Sequence, residues 1–345
     1  MINKNTNTVC CFGELLIRFS PLMDGGFIKQ ESMPAFIGGA ELNVATALAK
    51  WQIPVNYLTA LPDNALASEI KNHLTQKNIG TDFIEICGGR IGTYYLPQGA
   101  DLKNNAVIYD RAYSSFSTLK KGQINWDAIF KNVSWFHLSA ISPALNMDVA
   151  AVCLEAVKAA SDRGITVSID LNYRSKLWQY GKDPVEVMPD IIQYCDVVMG
   201  NIWAAQKLAG ININSSFIQE NNTRKNYIEE ANSSAEKLMN QYKKCTTVAN
   251  TFRFDDGHNG IKYYATLHTK SMNKSSSEYK TTNSIDKIGS GDCFMAALIL
   301  GLVKNNQPQA VIDFAAAAAF TKLHQKGDAF TGTLADVQKN IISHA

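Results

Sequence analysis

The sequence predicts an α/β protein, with a mainly parallel sheet covered by helices on both faces. Three observations carry that expectation. Short apolar runs alternate with helical patterns over most of the 345 residues. Helix stops fall between them, at Pro54 and Gly164. The composition, 46% hydrophobic and 19% charged, is that of a globular chain long enough to bury about 75% of its surface.

Taken in order, Val9 to Phe12 reads as the first buried strand, with Cys10 and Cys11 pointing to opposite faces. Leu42, Ala45, Leu48 and Ala49 recur at helical spacing before Pro54. Val55 to Leu61 reads as a strand. Asp63 or Asn64 can cap the next helix, in which Leu66, Ile70 and Leu74 share a face. Val149, Val152, Ala156 and Val157 form another apolar stripe, stopped at Gly164. Strands are expected over Ile165 to Asp170, Asp196 to Met199 and Thr246 to Thr251, and two helices close the chain near Gly291 to Lys304 and Pro308 to Leu323. Two regions break the rhythm. Gly92 to Pro97 and Ala106 to Arg111 read as a hairpin across the polar Gln98 to Asn105, and Arg18 to Ile28, around Gly25-Gly26, as a weaker strand-turn-strand. Both fit a small antiparallel lid on one α/β domain spanning 1–345, with lid segments at about 14–37 and 90–116. Asn212 to Ser234, dense in Asn, Ser and charge, reads as a surface insertion.

The balance of 33 basic and 31 acidic residues, a net +2, gives no reason to expect a nucleic-acid groove or a membrane surface. No apolar stretch reaches ~18 residues, and the polar start lacks an apolar core behind a basic end. Seven cysteines without C-x-x-C read as reduced, mostly buried thiols of a cytoplasmic protein. The six histidines lack zinc-ligand spacing.

The sharpest motif is Asp286-Lys287-Ile288-Gly289-Ser290-Gly291-Asp292 ahead of a helical run. Two glycines let the backbone turn tightly there, and free N–H groups with the helix dipole make an anion site. A carboxylate at the same place repels phosphate, but it can accept a proton from a substrate hydroxyl lying beside the phosphate. An anion hole with an adjacent base is what phosphoryl transfer to an alcohol needs. The same residues also suit a glycine turn with Asp292 as a plain cap. The second motif is Gly38-Gly39-Ala40-Glu41-Leu42-Asn43, where paired glycines before a helix permit close approach of a ligand. Asn43 offers donors and an acceptor to a sugar hydroxyl, or simply faces water.

Together these blocks resemble the two signatures of the PfkB, or ribokinase-like, family of carbohydrate kinases, with Ser290 where Ala is usual. The resemblance covers nearly the whole chain. It implies a three-layer ribokinase-like α/β fold, with sugar held between sheet and lid by Gly38, Gly39 and Asn43. It also implies ATP in a groove of the C-terminal third. Asp292 would be the base, and Gly289, Ser290 and Gly291 the anion hole. Asn201, Asn250, Ala318, Lys322 and Gly327 would lie around the nucleotide. Mg²⁺, a monovalent cation and a homodimer through the lid belong to the same implication.

Within that family the chain most resembles 2-keto-3-deoxygluconate kinases, through Asp170-Leu171-Asn172-Tyr173-Arg174, Lys176-Leu177-Trp178 and Tyr109-x-Arg111. A keto-deoxy acid carries a carboxylate, for which Arg111 and Arg174 offer planar forks. Tyr109 and Arg111 share one side of a strand, as Gly92 and Tyr94 do on its partner. Asn172 joins them as a substrate contact. Two positions depart from the family pattern: Ala204 replaces the Glu of Asn-x-x-Glu after Asn201, and Asn250-Thr251-Phe252-Arg253-Phe254 replaces a Gly-rich stretch. The expected activity is ATP-dependent phosphorylation of a primary hydroxyl of a sugar acid. Kinase action on fructose or ribose, or a catalytically weak sugar sensor, are the alternatives. A nicotinamide-dependent oxidoreductase is disfavoured, because Gly13-Glu14-Leu15 follows the first strand where G-x-G-x-x-G would be needed.

Overall fold

The computed structural model describes residues 8–21, 32–98, 107–214, 217, 223–257 and 260–343. The Gly25-Gly26 turn and most of the Gln98–Asn105 stretch lie outside them. In chain order the elements are β1 (Val9–Phe12), β2 (Leu16–Phe19), β3 (Ala35–Gly38), α1 (Ala40–Lys50), β4 (Val55–Leu58), β5 (Ala60–Leu61), α2 (Ala65–Gln76), β6 (Ile79–Gly80), β7 (Glu85–Ile86), β8 (Gly92–Tyr95) and β9 (Ile108–Asp110). The middle of the chain adds α3 (Trp126–Ile129), β10 (Trp135–Ser139), α4 (Met147–Asp162), β11 (Thr166–Asp170), α5 (Pro184–Ile192), β12 (Val197–Gly200), α6 (Ile202–Ala209) and α7 (Arg224–Gln241). It ends with β13 (Thr247–Asp255), β14 (Ile261–Thr269), β15 (Asn273–Ser275), β16 (Tyr279–Thr281), α8 (Ser290–Val303), α9 (Pro308–Lys322) and α10 (Leu334–Ser343).

The main sheet runs β15-β14-β13-β12-β11-β10-β1-β4-β6, with β16 also paired to β14. Pairing is parallel from β6 through β13 and antiparallel beyond. The central parallel strands β1, β10, β11 and β12 are buried on both faces, so neighbouring residues feed two cores. Cys11 packs with α1, α2, α8 and α9, whereas Cys10 packs with α3 to α7. All seven cysteines are free thiols. Local signals set the helix ends. Asn64 caps α2 by accepting from the Ala67 N–H at 2.9 Å, and the Val149–Val157 stripe of α4 is fully buried ahead of Gly164 at φ 68°.

A small second sheet runs β3-β2-β8-β9. The expected all-antiparallel pattern is corrected here, because β2 and β8 pair in parallel. The chain passes through the body between them, which is the crossover a parallel pair requires. Leu16, Tyr94, Leu96 and Val107 of this sheet region pack on Ile288, beside the Gly289 turn.

Other differences have local causes. The single strand expected over Val55–Leu61 divides at Thr59, its second piece pairing with β7. Leu66 is 47% exposed, and Ala67 takes its place on the buried face of α2. The polar run over 212–234 is helical from Arg224 on; its inner stripe is Glu230, Ala231 and Ser234, small or hydrogen-bonding groups that leave no apolar signature. No described helix is long and apolar enough to cross a membrane.

Candidate active site

A cavity of about 470 Å³ opens between the small sheet and the edge of the main sheet where the parallel strands end. α8 points its N-terminus into it. Gly289, at φ 75°, is the residue before that helix, and a side chain there would overlap the Asp328 backbone. Gly39 enters α1 at φ 135°, where a side chain would strike the Glu14 carbonyl. The two glycine turns so bring two helix N-termini to one cavity. The first turn of α8, Ser290, Gly291 and Asp292, borders the cavity with its N–H groups, where the motif leads one to expect an anion hole.

Asp292 lies in the first turn of α8 and is buried. Asn43 Nδ2 donates to its Oδ2 at 2.7 Å. Burial pushes the Asp292 carboxyl up to about 8, and the Asn43 hydrogen bond opposes that rise. Asn43 Oδ1 is buried without a hydrogen-bond partner, an acceptor suited to a hydroxyl. Two acids nearby add negative charge. Burial raises Glu41 to about 7 although it accepts from Ser139 N–H at 2.8 Å and Oγ at 2.6 Å. Asp170, at the end of β11, is pushed up to about 6 by burial, and the Asn172 N–H and the Arg174 charge hold it back. The charge of Arg174 also lowers Asp292. Its Nη1 donates to the Tyr173 carbonyl at 3.3 Å.

The residues expected around a sugar mostly meet. Gly39, Asn43, Tyr94, Tyr109, Arg111, Asn172 and Arg174 all border the cavity with the Gly289–Asp292 turn. Gly38 does not; it pairs with Leu16 in the small sheet, beneath the Asp328 carboxylate. Tyr94 and Tyr109 are cross-strand partners, and the Tyr94 hydroxyl is committed to Asp328 at 2.8 Å. Arg111 is neither a solvated hairpin residue nor wholly available to a ligand. Glu14 Oε2 closes the Nε and Nη2 edge of its fork at 2.6 Å, and Ser114 also donates to Glu14.

The nucleotide residues fare differently. Asn201 borders the cavity while its Oδ1 caps α6 through the Ala204 N–H at 2.7 Å. Asn250, Ala318, Lys322 and Gly327 stand behind the cavity wall. Asn250 donates to the Gly200 carbonyl at 3.0 Å, and the Ala318 carbonyl accepts from the Cys293 thiol. The Lys322 ammonium is fully buried and donates to the carbonyls of Gly327 at 2.7 Å and Gln325 at 3.2 Å. With Arg18, Asp286 and Asp328 it forms a buried charge cluster in which Arg18 Nη2 meets Asp286 at 2.9 Å and Arg18 Nε faces Asp328 at 2.7 Å. The cluster joins β2 to the loop that carries the Gly289 turn.

Residues 6–333 match the pfkB family of carbohydrate kinases. The chain belongs to that family. Its pfkB relatives include a 2-dehydro-3-deoxygalactonokinase of Haloferax volcanii, 27% identical over 97% of this chain and 96% of that protein. A 2-dehydro-3-deoxygluconokinase of Bacillus subtilis is 25% identical over 58% of this chain and 61% of that one. Among solved structures, the 2-dehydro-3-deoxygluconokinase of Thermotoga maritima superposes with a TM-score of 0.87 and 31% identity, covering 97% of this chain and 99% of that one. The protein is thus a carbohydrate kinase with a pfkB fold, and its alternation of strand and helix, its two glycine turns and its small sheet are the parts that the sequence made legible.

Glu14, Glu41 and Asp170 were not singled out by sequence reasoning. All three sit beside or inside stretches it did quote, so the available signal was a carboxylate within a motif read for its other members.

Proposed function

We propose that this carbohydrate kinase transfers the γ-phosphoryl group of ATP to a primary hydroxyl of a sugar acid, 2-keto-3-deoxy-D-gluconate, also called 2-dehydro-3-deoxygluconate. The observation that carries this is Arg174, a half-buried guanidinium at the cavity wall whose charge reaches both Asp170 and Asp292. A half-buried cation whose charge reaches the base suits a substrate that brings its own carboxylate. Asp292 takes the hydroxyl proton, the oxygen attacks the γ-phosphorus, and the bond to the bridging oxygen breaks to release ADP. The N–H groups of the Gly289–Asp292 turn receive the charge of the transferring group. Magnesium bound with ATP would neutralise phosphate charge. Among the described residues no three His, Cys, Asp or Glu side chains gather into a metal site, and Ala204 offers no ligand.

The small sheet acts as a lid that excludes water, the competing acceptor. Its outer strand β9 leaves Ile108 51% exposed, in keeping with a homodimer through that edge. The free thiols fit a cytoplasmic location. A second reading, the C4 epimer 2-keto-3-deoxygalactonate as substrate, is favoured by the name of the Haloferax relative.

A coupled ADP-release assay over both keto-deoxy acids, fructose and ribose tests the proposal. The expected result is the highest kcat/KM on a keto-deoxy acid. Turnover on neutral sugars alone overturns the acid assignment, and sugar binding without turnover indicates a sensor.

A further inference from the structure

Arg253 lies in Asn250–Phe254, one of the two stretches that depart from the family pattern. It lies on β13 opposite Tyr263 of β14, on the same side of the strand as Thr251, and all three border the cavity. Its Nη1 donates to the Lys287 carbonyl at 3.2 Å and to Ser290 Oγ at 3.3 Å. Those two residues bracket the Gly289 turn, so the guanidinium is held at the rim of the anion hole. Lys287 and Lys207 also border the cavity, Lys287 being paired with Asp255 at 2.8 Å. Ala204, one turn before Lys207 on α6, also borders the cavity and offers no carboxylate to oppose this charge.

We propose that Arg253 is a catalytic residue of this kinase that grips the β- and γ-phosphate oxygens of the nucleotide and stabilises the transferring phosphoryl group. A planar guanidinium offers paired N–H donors that match a phosphate edge and remains charged throughout. It neither gains nor loses a proton in the step; the hydroxyl proton still goes to Asp292. Its hydrogen bonds to the Lys287 carbonyl and Ser290 Oγ hold it in place in advance, which is what makes such a donor effective in the transition state. Arg253 so supplies protein-borne positive charge at the rim of the Gly289 turn, in a cavity that lacks the Asn-x-x-Glu carboxylate. The inference rests on ATP being the donor and is independent of which sugar accepts.

The test uses the full chain as wild type, Arg253→Met and Arg253→Lys, with calorimetric affinities for AMP, ADP and ATP and with kcat on the best acceptor from the substrate screen. The Met variant should bind AMP like wild type, lose roughly 10–150-fold in ATP affinity, and fall by about 10²–10³ in kcat. The Lys variant should recover part of both losses. AMP binding doubles as the check that the variants fold. Losses equal for AMP and ATP, or no loss at all, would overturn the proposal by reducing Arg253 to a structural brace. Should the Met variant not fold, the Lys variant decides alone: unchanged AMP affinity with weakened ATP affinity supports the phosphate contact, and equal changes refute it. Wild-type protein that turns over a sugar while the variants show no phosphate-graded loss sinks this inference only. Wild-type protein that binds ATP with the graded pattern yet phosphorylates nothing sinks the reading of the activity and leaves the contact standing.

Discussion

Around the cavity Asp292, Glu41 and Asp170 are all buried and all held above the usual carboxylate range, while Lys207, Arg253 and Lys287 reach in from more open positions. The difference is one of construction. The acids are short side chains on the ends of α8, α1 and β11, fixed by the body of the fold. The cations are long side chains whose heads are placed by a few hydrogen bonds, such as that of Arg253 to Ser290. A buried acid can be tuned into a base near neutral pH, and flexible cations can follow a phosphate chain through transfer. In the proposed reading the acids handle the proton, and the cations share the phosphate with the Gly289–Asp292 turn.

Asp292→Asn breaks the comparison at its strongest point. The amide is nearly isosteric and cannot take a proton, so kcat should fall by about 10²–10⁴ with sugar affinity retained. Steady-state kinetics beside sugar-binding calorimetry check this; a variant with near wild-type turnover would leave Asp292 as a helix cap. Arg111→Ala comes next. It leaves Glu14 buried without its cation, which typically costs about 3–5 kcal/mol. Urea unfolding should register that loss, and kcat/KM should drop alike on acid and neutral sugars, because Arg111 braces the small sheet against the body. Selective loss on the acid would instead make Arg111 the carboxylate contact.

Asn43→Ala sharpens the account of the base. Proton abstraction needs ionised Asp292, so kcat/KM of wild type should rise with pH through about 8. Asn43 donates to the ionised form and lowers its pKa, and removing it should move the limb to higher pH. A limb that stays in place would dissociate Asn43 from the base. The same raised carboxyl affects stability. The folded state keeps a proton that the unfolded chain releases near pH 4, so stability falls as pH rises from there through about 8. Asp292→Asn should lessen that fall, as thermal unfolding at pH 5 and pH 8 would show. The smallest expected effect concerns monovalent ions. The buried Lys322 ammonium already places a fixed charge behind the Gly289 turn, so replacing potassium by a bulky tetraalkylammonium ion should leave kcat unchanged. A clear potassium requirement would contradict that view of Lys322.

The same division explains what could be read in the sequence. The residues around Asp292 belong to short blocks tied to glycine turns or strand ends: Asn43 and the Gly289–Asp292 turn were singled out from local pattern, Asn172 and Arg174 from the family resemblance. The partners that fix their chemistry come from far along the chain: Glu14 closes on Arg111 across 97 residues, and Asn43 meets Asp292 across 249. Ala318, Lys322 and Gly327 were placed by resemblance; the first two lie on α9, which packs behind α8, and all three are buried outside the cavity lining. Arg253 sat in a stretch recognised only as irregular. Strand alternation was legible because β1, β11 and β12 are buried on both faces. α7 was not, because its inner face is polar and small.

The central claim is that Arg174 matches a carboxylate on the substrate, and one measurement reaches it directly: kcat/KM of wild type and Arg174→Ala on 2-keto-3-deoxygluconate and on a neutral ketose. A charged hydrogen bond contributes about 1.5–3 kcal/mol, so the variant should lose roughly 10–150-fold on the acid and little on the ketose, with Arg174→Lys recovering part. Equal losses on both substrates would mean that Arg174 only restrains Asp170 and Asp292, and the assignment of a sugar acid would fall with it.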